Sequence, residues 1–204
     1  MPASLKRYKA KRDFSSTPEP KGAARRNASK SRRFVVQLHD ASRLHYDFRL
    51  EADGMLKSWA VPKGPSLNPA DKRLAMHVED HPLEYRTFEG VIPKGNYGAG
   101  EVIVWDAGTY RTIDGSEPGR DIRIGHITFL LNGKKLRGEF ALVKMRSRGS
   151  EDNAWLLLKA DDEFANRRWS ADAHPESVKT GRTLKDIARS TRSRKWRSNR
   201  AART

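Results

Sequence analysis

From Phe34 onward the chain alternates apolar and polar residues at period two, the spacing that turns one face of a β-strand toward a core and the other toward solvent or a cleft. The pattern opens with Phe34-Val35-Val36-Gln37-Leu38-His39 and is sharpest in Leu44-His45-Tyr46-Asp47-Phe48-Arg49-Leu50. In the latter, Leu44, Tyr46, Phe48 and Leu50 share one face, and His45, Asp47 and Arg49 share the other. Further candidate strands follow at short spacing, over 56–61, 73–79, 84–89, 101–105, 108–113, 127–131, 138–145 and 155–159. Asn132-Gly133 signals a hairpin turn whose loop runs to two residues or more. No helical period is sustained before Leu184 to Ala188, and no internal repeat is visible. Many short strands punctuated by Gly and Pro predict an all-β domain, an antiparallel sandwich or barrel.

The same pattern sets the expected boundaries. Residues 1–33 read as an irregular arm, with a turn-rich Ser15 to Gly22; residues 34–162 as the β domain; residues 163–204 as a tail carrying one short helix. Beyond residue 189 the tail is Arg- and Ser-rich and is expected to be disordered when free.

Composition narrows the possibilities. With 204 residues, 36% of them hydrophobic, and a mean hydropathy of −0.82, the chain supports one core plus solvated segments. No apolar run approaches the roughly 20 residues that span a bilayer. The N-terminus lacks a signal-peptide apolar stretch, so a cytoplasmic protein is expected. The absence of cysteine excludes disulfides, thiolate nucleophiles and Cys-type zinc sites. A Gly-x-Ser-x-Gly elbow is also missing, which removes support for Ser/His/Asp acyl chemistry.

Charge is distributed unevenly. The net +16 divides into +9 for residues 1–33, where eleven Lys/Arg face Asp13 and Glu19, and +9 for residues 179–204, where ten face Asp186. The intervening segment is left at −2. Two basic arms around a near-neutral core suit a polyanion gripped through its phosphates, so nucleic acid is the expected partner.

The polar face of 37–49 then acquires a meaning. Two imidazoles and a carboxylate, from His39, His45 and Asp47, suit a divalent cation such as Mn2+, Zn2+ or Fe2+. Arg49 beside them offers a planar fork for phosphate. A second alternation, His77, Glu79 and His81, with Tyr85 four residues on, predicts another group of polar side chains on one face. Metal and arginine together point to phosphoryl transfer or phosphate-ester hydrolysis. The same two-histidine, one-carboxylate set also serves Fe2+ oxygenases, and a DNA-end-binding module without catalysis is a further alternative. Lys94 to Gly100 lacks the Gly-Lys-Ser/Thr of a phosphate loop and reads as a tight turn between strands. On spacing alone, Asp13 and Glu19 in the N-terminal arm read as charge balance.

The strings Lys11-Arg12-Asp13-Phe14, Thr17-Pro18-Glu19-Pro20, His39-Asp40-Ala41-Ser42-Arg43-Leu44-His45-Tyr46-Asp47-Phe48-Arg49, Trp59 to Pro65, His77 to Tyr85 and Gly90 to Gly100 resemble the 3′-phosphoesterase domain of bacterial DNA ligase D, a non-homologous end-joining repair enzyme. The resemblance covers about three quarters of the sequence. It implies a small β-barrel that trims DNA 3′ ends with Mn2+ (Co2+ and Zn2+ being alternatives), removing a 3′-terminal ribonucleoside and then the 3′-phosphate. It further implies metal ligation by His39, His45 and Asp47, phosphate binding by Arg49 and His81, and an active-site Tyr85. Gln37 and Glu79 match supporting positions, and Arg12, Asp13 and Glu19 match arm residues needed for activity, which replaces the charge-balance reading. A separate ligase or polymerase and Ku are expected partners, at the nucleoid. The initiator Met1 and the basic ending at Thr204 favour a stand-alone protein over an excised domain.

Overall fold

The computed structural model describes residues 5–22, 32–145 and 153–190. Nine strands form one antiparallel sheet: β1 (Arg32–Asp40), β2 (Leu44–Ala52), β3 (Met55–Val61), β4 (Arg73–His77), β5 (Gly90–Ile92), β6 (Gly100–Thr112), β7 (His126–Gly133), β8 (Arg137–Lys144) and β9 (Ala154–Lys159). Their order, β1-β2-β3-β4-β9-β8-β7-β6-β5, closes on itself because β1 also pairs with β6. Eight strands thus make a barrel, and the short β5 lies outside the ring against β6. Closure removes the exposed edges of the ring.

The alternation seen in the sequence decides which side chains fill the barrel. Phe34, Val36 and Leu38 of β1 and Tyr46, Phe48 and Leu50 of β2 enter the interior with Trp59, Phe129, Phe140 and Trp155. On the outer face Val35, Met55, Leu56 and Val104 form a second cluster, roofed by Leu5 and Tyr8 of the N-terminal arm and by Leu83 and Tyr85. A short helix α1 (Lys6–Ala10) within the arm buries Tyr8. This outer cluster, rather than the barrel lumen, is where the polar face of β1 and β2 emerges.

Three local expectations are corrected. Positions 101–105 and 108–113 are one strand, β6, with a bulge: Val36 pairs with Asp106 and Gln37 with Val104, leaving Trp105 as an extra residue. The insertion reverses the alternation, so that Ile103 and Tyr110 both face inward, which the sequence presents as two strands. Residues 84–89 are not a strand; Leu83–Thr87 is a 3-10 turn after Pro82, with Tyr85 N–H donating to the Pro82 carbonyl. Its apolar i, i+2 spacing mimics a strand over too short a window for period to discriminate. A helix α2 (Pro118–Ile124) carries Pro at its start and Gly125, at φ 96°, after its end, terminal signals with too short a body between them to register as a period.

The Asn132-Gly133 hairpin is present, with three residues between β7 and β8. The β8 strand starts after a turn whose amides at Lys134, Lys135 and Leu136 donate to the buried Asp106 carboxylate at 3.0, 3.1 and 2.9 Å. The described part of the segment read as a tail packs on the barrel. Helix α3 (Leu184–Arg189), capped by a reciprocal Thr183–Asp186 pair, buries Ile187. The Trp105 indole N–H donates to the His174 carbonyl at 2.6 Å. The Arg/Ser-rich stretch from 191 lies outside the described residues.

Asp106→Ala is expected to lower unfolding free energy by about 3 kcal/mol, because it strands three turn amides at once. Urea denaturation of the pair of proteins measures it, and a change under about 0.5 kcal/mol, the range of ordinary surface substitutions, would show that water replaces the carboxylate.

Candidate active site

The site starts with one hairpin. A three-residue turn, Ala41 to Arg43, sets His39 directly opposite His45, Gln37 opposite Asp47, and Val35 opposite Arg49. Directly opposed residues project from the same face, so the turn length alone brings both imidazoles beside the carboxylate. On the next strand Ala60 faces Asp47 and Ser58 faces Arg49. The small Ala60 leaves space above Asp47, and Ser58 gives Arg49 an acceptor.

Each imidazole is oriented by a backbone carbonyl. His39 Nε2 lies 2.8 Å from the Gly98 oxygen, and His45 Nδ1 lies 2.8 Å from the Arg43 oxygen. These contacts place the ring protons on those nitrogens, leaving His39 Nδ1 and His45 Nε2 unprotonated and facing Asp47 at 3.5 and 3.7 Å. The three donors lie within 4.8 Å of one another. A cation bound at about 2.0–2.2 Å from each fits separations of this size, and outward carbonyls of this kind fix ligand rings in metal sites. Two neutral nitrogens and one carboxylate oxygen are therefore a chemically suitable set for a divalent ion.

Arg49 is 2% exposed. Its Nε donates to Gln37 Oε1 at 2.9 Å, Nη1 to Ser58 Oγ at 2.8 Å, and Nη2 to Asp47 Oδ2 at 2.9 Å. Gln37 is in turn held by its amide, which donates to the Tyr85 and Phe88 carbonyls at 3.1 and 2.9 Å. Burial on its own would raise the Asp47 pKa; the Arg49 guanidinium instead holds it well below the usual carboxylate range. Asp47 is consequently ionised at any working pH.

His81 sits between two guanidiniums. Its Nδ1 lies 2.9 Å from the Glu79 carbonyl and 2.9 Å from Arg49 Nη1; its Nε2 lies 3.3 Å from Arg12 Nη2. A neutral ring with the proton on Nδ1 donates to Glu79 and accepts from Arg12. Arg49 Nη2 keeps one N–H that Asp47 does not take up. Burial, then Arg49 and Arg12, push the His81 pKa well below its ordinary value, so the ring is neutral. Burial also raises the Tyr85 hydroxyl far above its usual range, with Glu19 adding to it, and the Tyr85 ring lies 4.8 Å from that of His81.

The N-terminal arm closes the site from above. Arg12 donates through Nε to Glu19 at 2.8 Å and through Nη1 to Glu79 at 3.4 Å, and its guanidinium stacks on Tyr8 at 3.9 Å. Arg12, Glu19 and Glu79 side chains are 4, 0 and 5% exposed. This is a buried ion triad, in which loss of one member leaves an uncompensated charge. Lys11 adds a second cation on Glu79 at 3.0 Å. Ser16 Oγ donates to Asn96 Oδ1 at 2.7 Å, tying the arm to the loop that carries Gly98.

The resulting cleft, about 260 Å3, is lined by Arg12, His39, His45, Asp47, Arg49, Glu79, His81 and Tyr85. Gln37 and Glu19 stand behind it, supporting Arg49 and Arg12. Asp13 is exposed on the arm, where its carboxylate accepts from the Ser15 amide at 3.0 Å and hydroxyl at 2.5 Å and shapes the turn. His77 does not join Glu79 and His81: β4 ends at His77, whose ring packs on Trp59 and Trp155 at 5.1 and 6.0 Å. The expected alternation thus fails once the strand stops. Ser58, Lys11, Tyr8 and Tyr97 were not singled out from the sequence. Only strand pairing, which sets Ser58 against Arg49, and the docking of the arm reveal them.

Comparison with known proteins is consistent with this geometry. The family model described as the DNA ligase D 3′-phosphoesterase domain matches residues 37–144. The chain belongs to this family. It is 52% identical over 190 residues, 90% of its length, to the multifunctional non-homologous end joining protein LigD of Pseudomonas aeruginosa. It is 50% identical over 159 residues, 78% of its length, to the multifunctional non-homologous end joining DNA repair protein LigD of Mycobacterium tuberculosis. With the LigD of Mycolicibacterium smegmatis it shares 42% over 163 residues. The chain spans only about a fifth of these curated relatives, 22%, 20% and 21% of their lengths.

In metal-free protein, stability is expected to fall on acidification. His81 is ordinarily near 6.5 and Asp47 near 3.8, and both are depressed on folding. Below each ordinary value the unfolded chain binds a proton that the folded chain refuses. Denaturation in chelator should show stability declining as pH falls below 6.5, and declining further below 3.8. The upper part of the decline should shrink in His81→Asn; an unchanged slope would mean that His81 is not held neutral.

Proposed function

We propose that the protein is a Mn2+-dependent phosphoesterase that processes DNA 3′ ends during double-strand break repair by non-homologous end joining. One observation carries the reading: a two-imidazole, one-carboxylate set lies in direct contact with a buried arginine fork, inside a cleft flanked by further cations. Family membership supports it, and the +9 ends supply a grip on the DNA backbone. Among the described residues no helix is long and apolar enough to cross a membrane; a cytoplasmic protein acting at the nucleoid fits the proposal.

His39, His45 and Asp47 would hold the metal, with Co2+ or Zn2+ as substitutes. When bound, the ion supplies Lewis-acid polarisation of a phosphate oxygen and an acidified water. Arg49 would turn its guanidinium to the phosphate and offset the charge that builds on its oxygens. Arg12 adds a second guanidinium, held in place by Glu19 and Glu79. His81 is neutral in the free site, so its first role is to hydrogen-bond, and it becomes a proton donor to the leaving oxygen only after phosphate charge raises its pKa. Two hydrolyses follow in order. The first adds water across the bond to a terminal ribonucleoside, releasing it and leaving a 3′-phosphate; the second releases inorganic phosphate and leaves a 3′-OH. A ligase or polymerase and Ku are proposed users of that end.

The decisive assay uses an end-labelled primer-template ending in a 3′ ribonucleotide or a 3′-phosphate, with and without Mn2+. Both ends should be converted to 3′-OH without O2, whereas an O2 requirement would favour an oxygenase. Replacing His39, His45 or Asp47 with Ala should abolish both steps, by at least about a hundredfold for loss of a ligand. Arg49→Lys, which keeps charge but loses the fork, should lose most activity while the fold and Mn2+ binding persist; parental activity in that variant places Arg49 outside the phosphate site.

Removal of residues 1–20 should reduce turnover at saturating DNA, because it takes away Arg12 and leaves Glu79 facing the cleft with no arm cation. Removal of residues 190–204, which lie largely outside the described structure, should mainly flatten the dependence of affinity on salt. Equal effects of the two truncations on affinity, with turnover intact in both, would reduce the arm to a polyanion grip.

A further inference from the structure

One aromatic side chain at the cleft has no task in the chemistry above. Tyr97 lines the cleft with Asp47 and Arg49, yet the residue is 49% exposed, against 2% for Tyr85 and 0% for Tyr8. It has no place in either apolar cluster among the described residues. Single exposed aromatics are ordinary on protein surfaces, but this one is held in a defined position at a site mouth. Its loop turns twice, through Asn96 N–H to the Pro93 carbonyl and Ala99 N–H to the Asn96 carbonyl, both at 3.2 Å. Gly95 and Gly98 flank it at φ 89° and 72°, conformations that keep the turn tight. The Asn96 side chain is tied to Ser16 of the arm, and the Gly98 carbonyl holds His39. The hydroxyl accepts from Lys11 Nζ at 3.1 Å, and the same ammonium lies 4.3 Å from the ring centroid.

The ring is also close to the phosphate clamp. The Arg12 guanidinium carbon is 5.7 Å from the Tyr97 centroid, while Arg12 Nη2 is 3.3 Å from His81 Nε2. One guanidinium therefore separates the ring from a group that would touch the scissile phosphate, a span comparable to that between a nucleotide's phosphate and its base. A half-exposed, pre-positioned aromatic at that distance from a phosphate site matches how proteins hold unpaired nucleic-acid ends, by stacking a base on the ring beside cations that track the backbone.

We propose that Tyr97 is a substrate-binding platform on which the nucleobase adjoining the scissile phosphate stacks. This rests on the phosphoesterase reading and extends it: the enzyme holds the base of the terminal nucleotide, not only its phosphate. Because every base has a π-face, the platform takes any 3′ end without reading sequence, and Lys11 and Arg12 place positive charge along the phosphate that follows. The stacking surface is the ring, not the hydroxyl.

The test uses the full chain with Mn2+ and two 3′-phosphate primer-templates, one with a normal base and one abasic at the terminal nucleotide. With the base present, Tyr97→Ala should raise KM by roughly tenfold or more, the scale of one base–aromatic stack, with kcat less affected. On the abasic substrate the wild type should already show the raised KM, and Tyr97→Ala should add little. Tyr97→Phe, which loses the bond to Lys11 but keeps the ring, should restore KM on the normal end. Equal KM for the two substrates in wild type, or an equal penalty from Tyr97→Ala on both, overturns the proposal and leaves Tyr97 as a brace for Lys11. Absence of 3′-phosphate release by wild type on either substrate instead overturns the phosphoesterase reading itself.

Discussion

The register of one hairpin is the constraint on which the site depends. Because Ala41, Ser42 and Arg43 make a three-residue turn, His39 and His45 face each other and Gln37 faces Asp47. A slip of β2 by one residue would send His45 and Asp47 into the barrel interior and turn Tyr46 and Phe48 out to the cleft. The interior therefore enforces the chemistry: Phe34, Val36, Leu38, Tyr46, Phe48 and Leu50 cannot leave the core without large cost, and their burial holds the polar face in alignment. Site geometry and hydrophobic packing are two sides of the same two strands.

Around that hairpin, charge is arranged in closed groups. Asp47 is balanced by Arg49, and Glu79 and Glu19 by Arg12 and Lys11. Low exposure makes the Asp47–Arg49 and Arg12–Glu19–Glu79 groups strict, since a buried charge without a partner is far more costly than a surface one. The balance leaves the cleft without a large excess of either sign, and under the proposed function a divalent ion would tip it toward phosphate. The arm is thus part of the electrostatic design of the site, though it lies outside the barrel.

How much of this could be read from the residues follows from the range of each interaction. Alternation in 34–50 was legible because it is local and enforced by a core on one side. The division of β6 into two apparent strands, and the run 84–89 read as a strand, failed because a bulge and a proline-led turn change phase over one or two residues. His77 was grouped with Glu79 and His81 on the same alternation, which stops being valid where β4 ends. Spacing alone made Glu19 and Asp13 look like charge balance. Arg12 lies 67 residues from Glu79 in the chain, and no local pattern announces such a contact. Ser58 was equally hidden, since its relevance comes only from lying across from Arg49.

The bulge at Trp105 divides β6 mechanically. On one side of it the strand lies along the cleft hairpin, pairing Val102 with His39; on the other it joins β7, where Tyr110 reaches the Glu51 carbonyl at 2.6 Å. The extra residue is a phase adjuster between the two halves. Removing it would turn either Ile103 or Tyr110 out of the core, whereas a compensated shift on one side alone can be absorbed there. The end that faces α2 can therefore change without disturbing the end that frames the site.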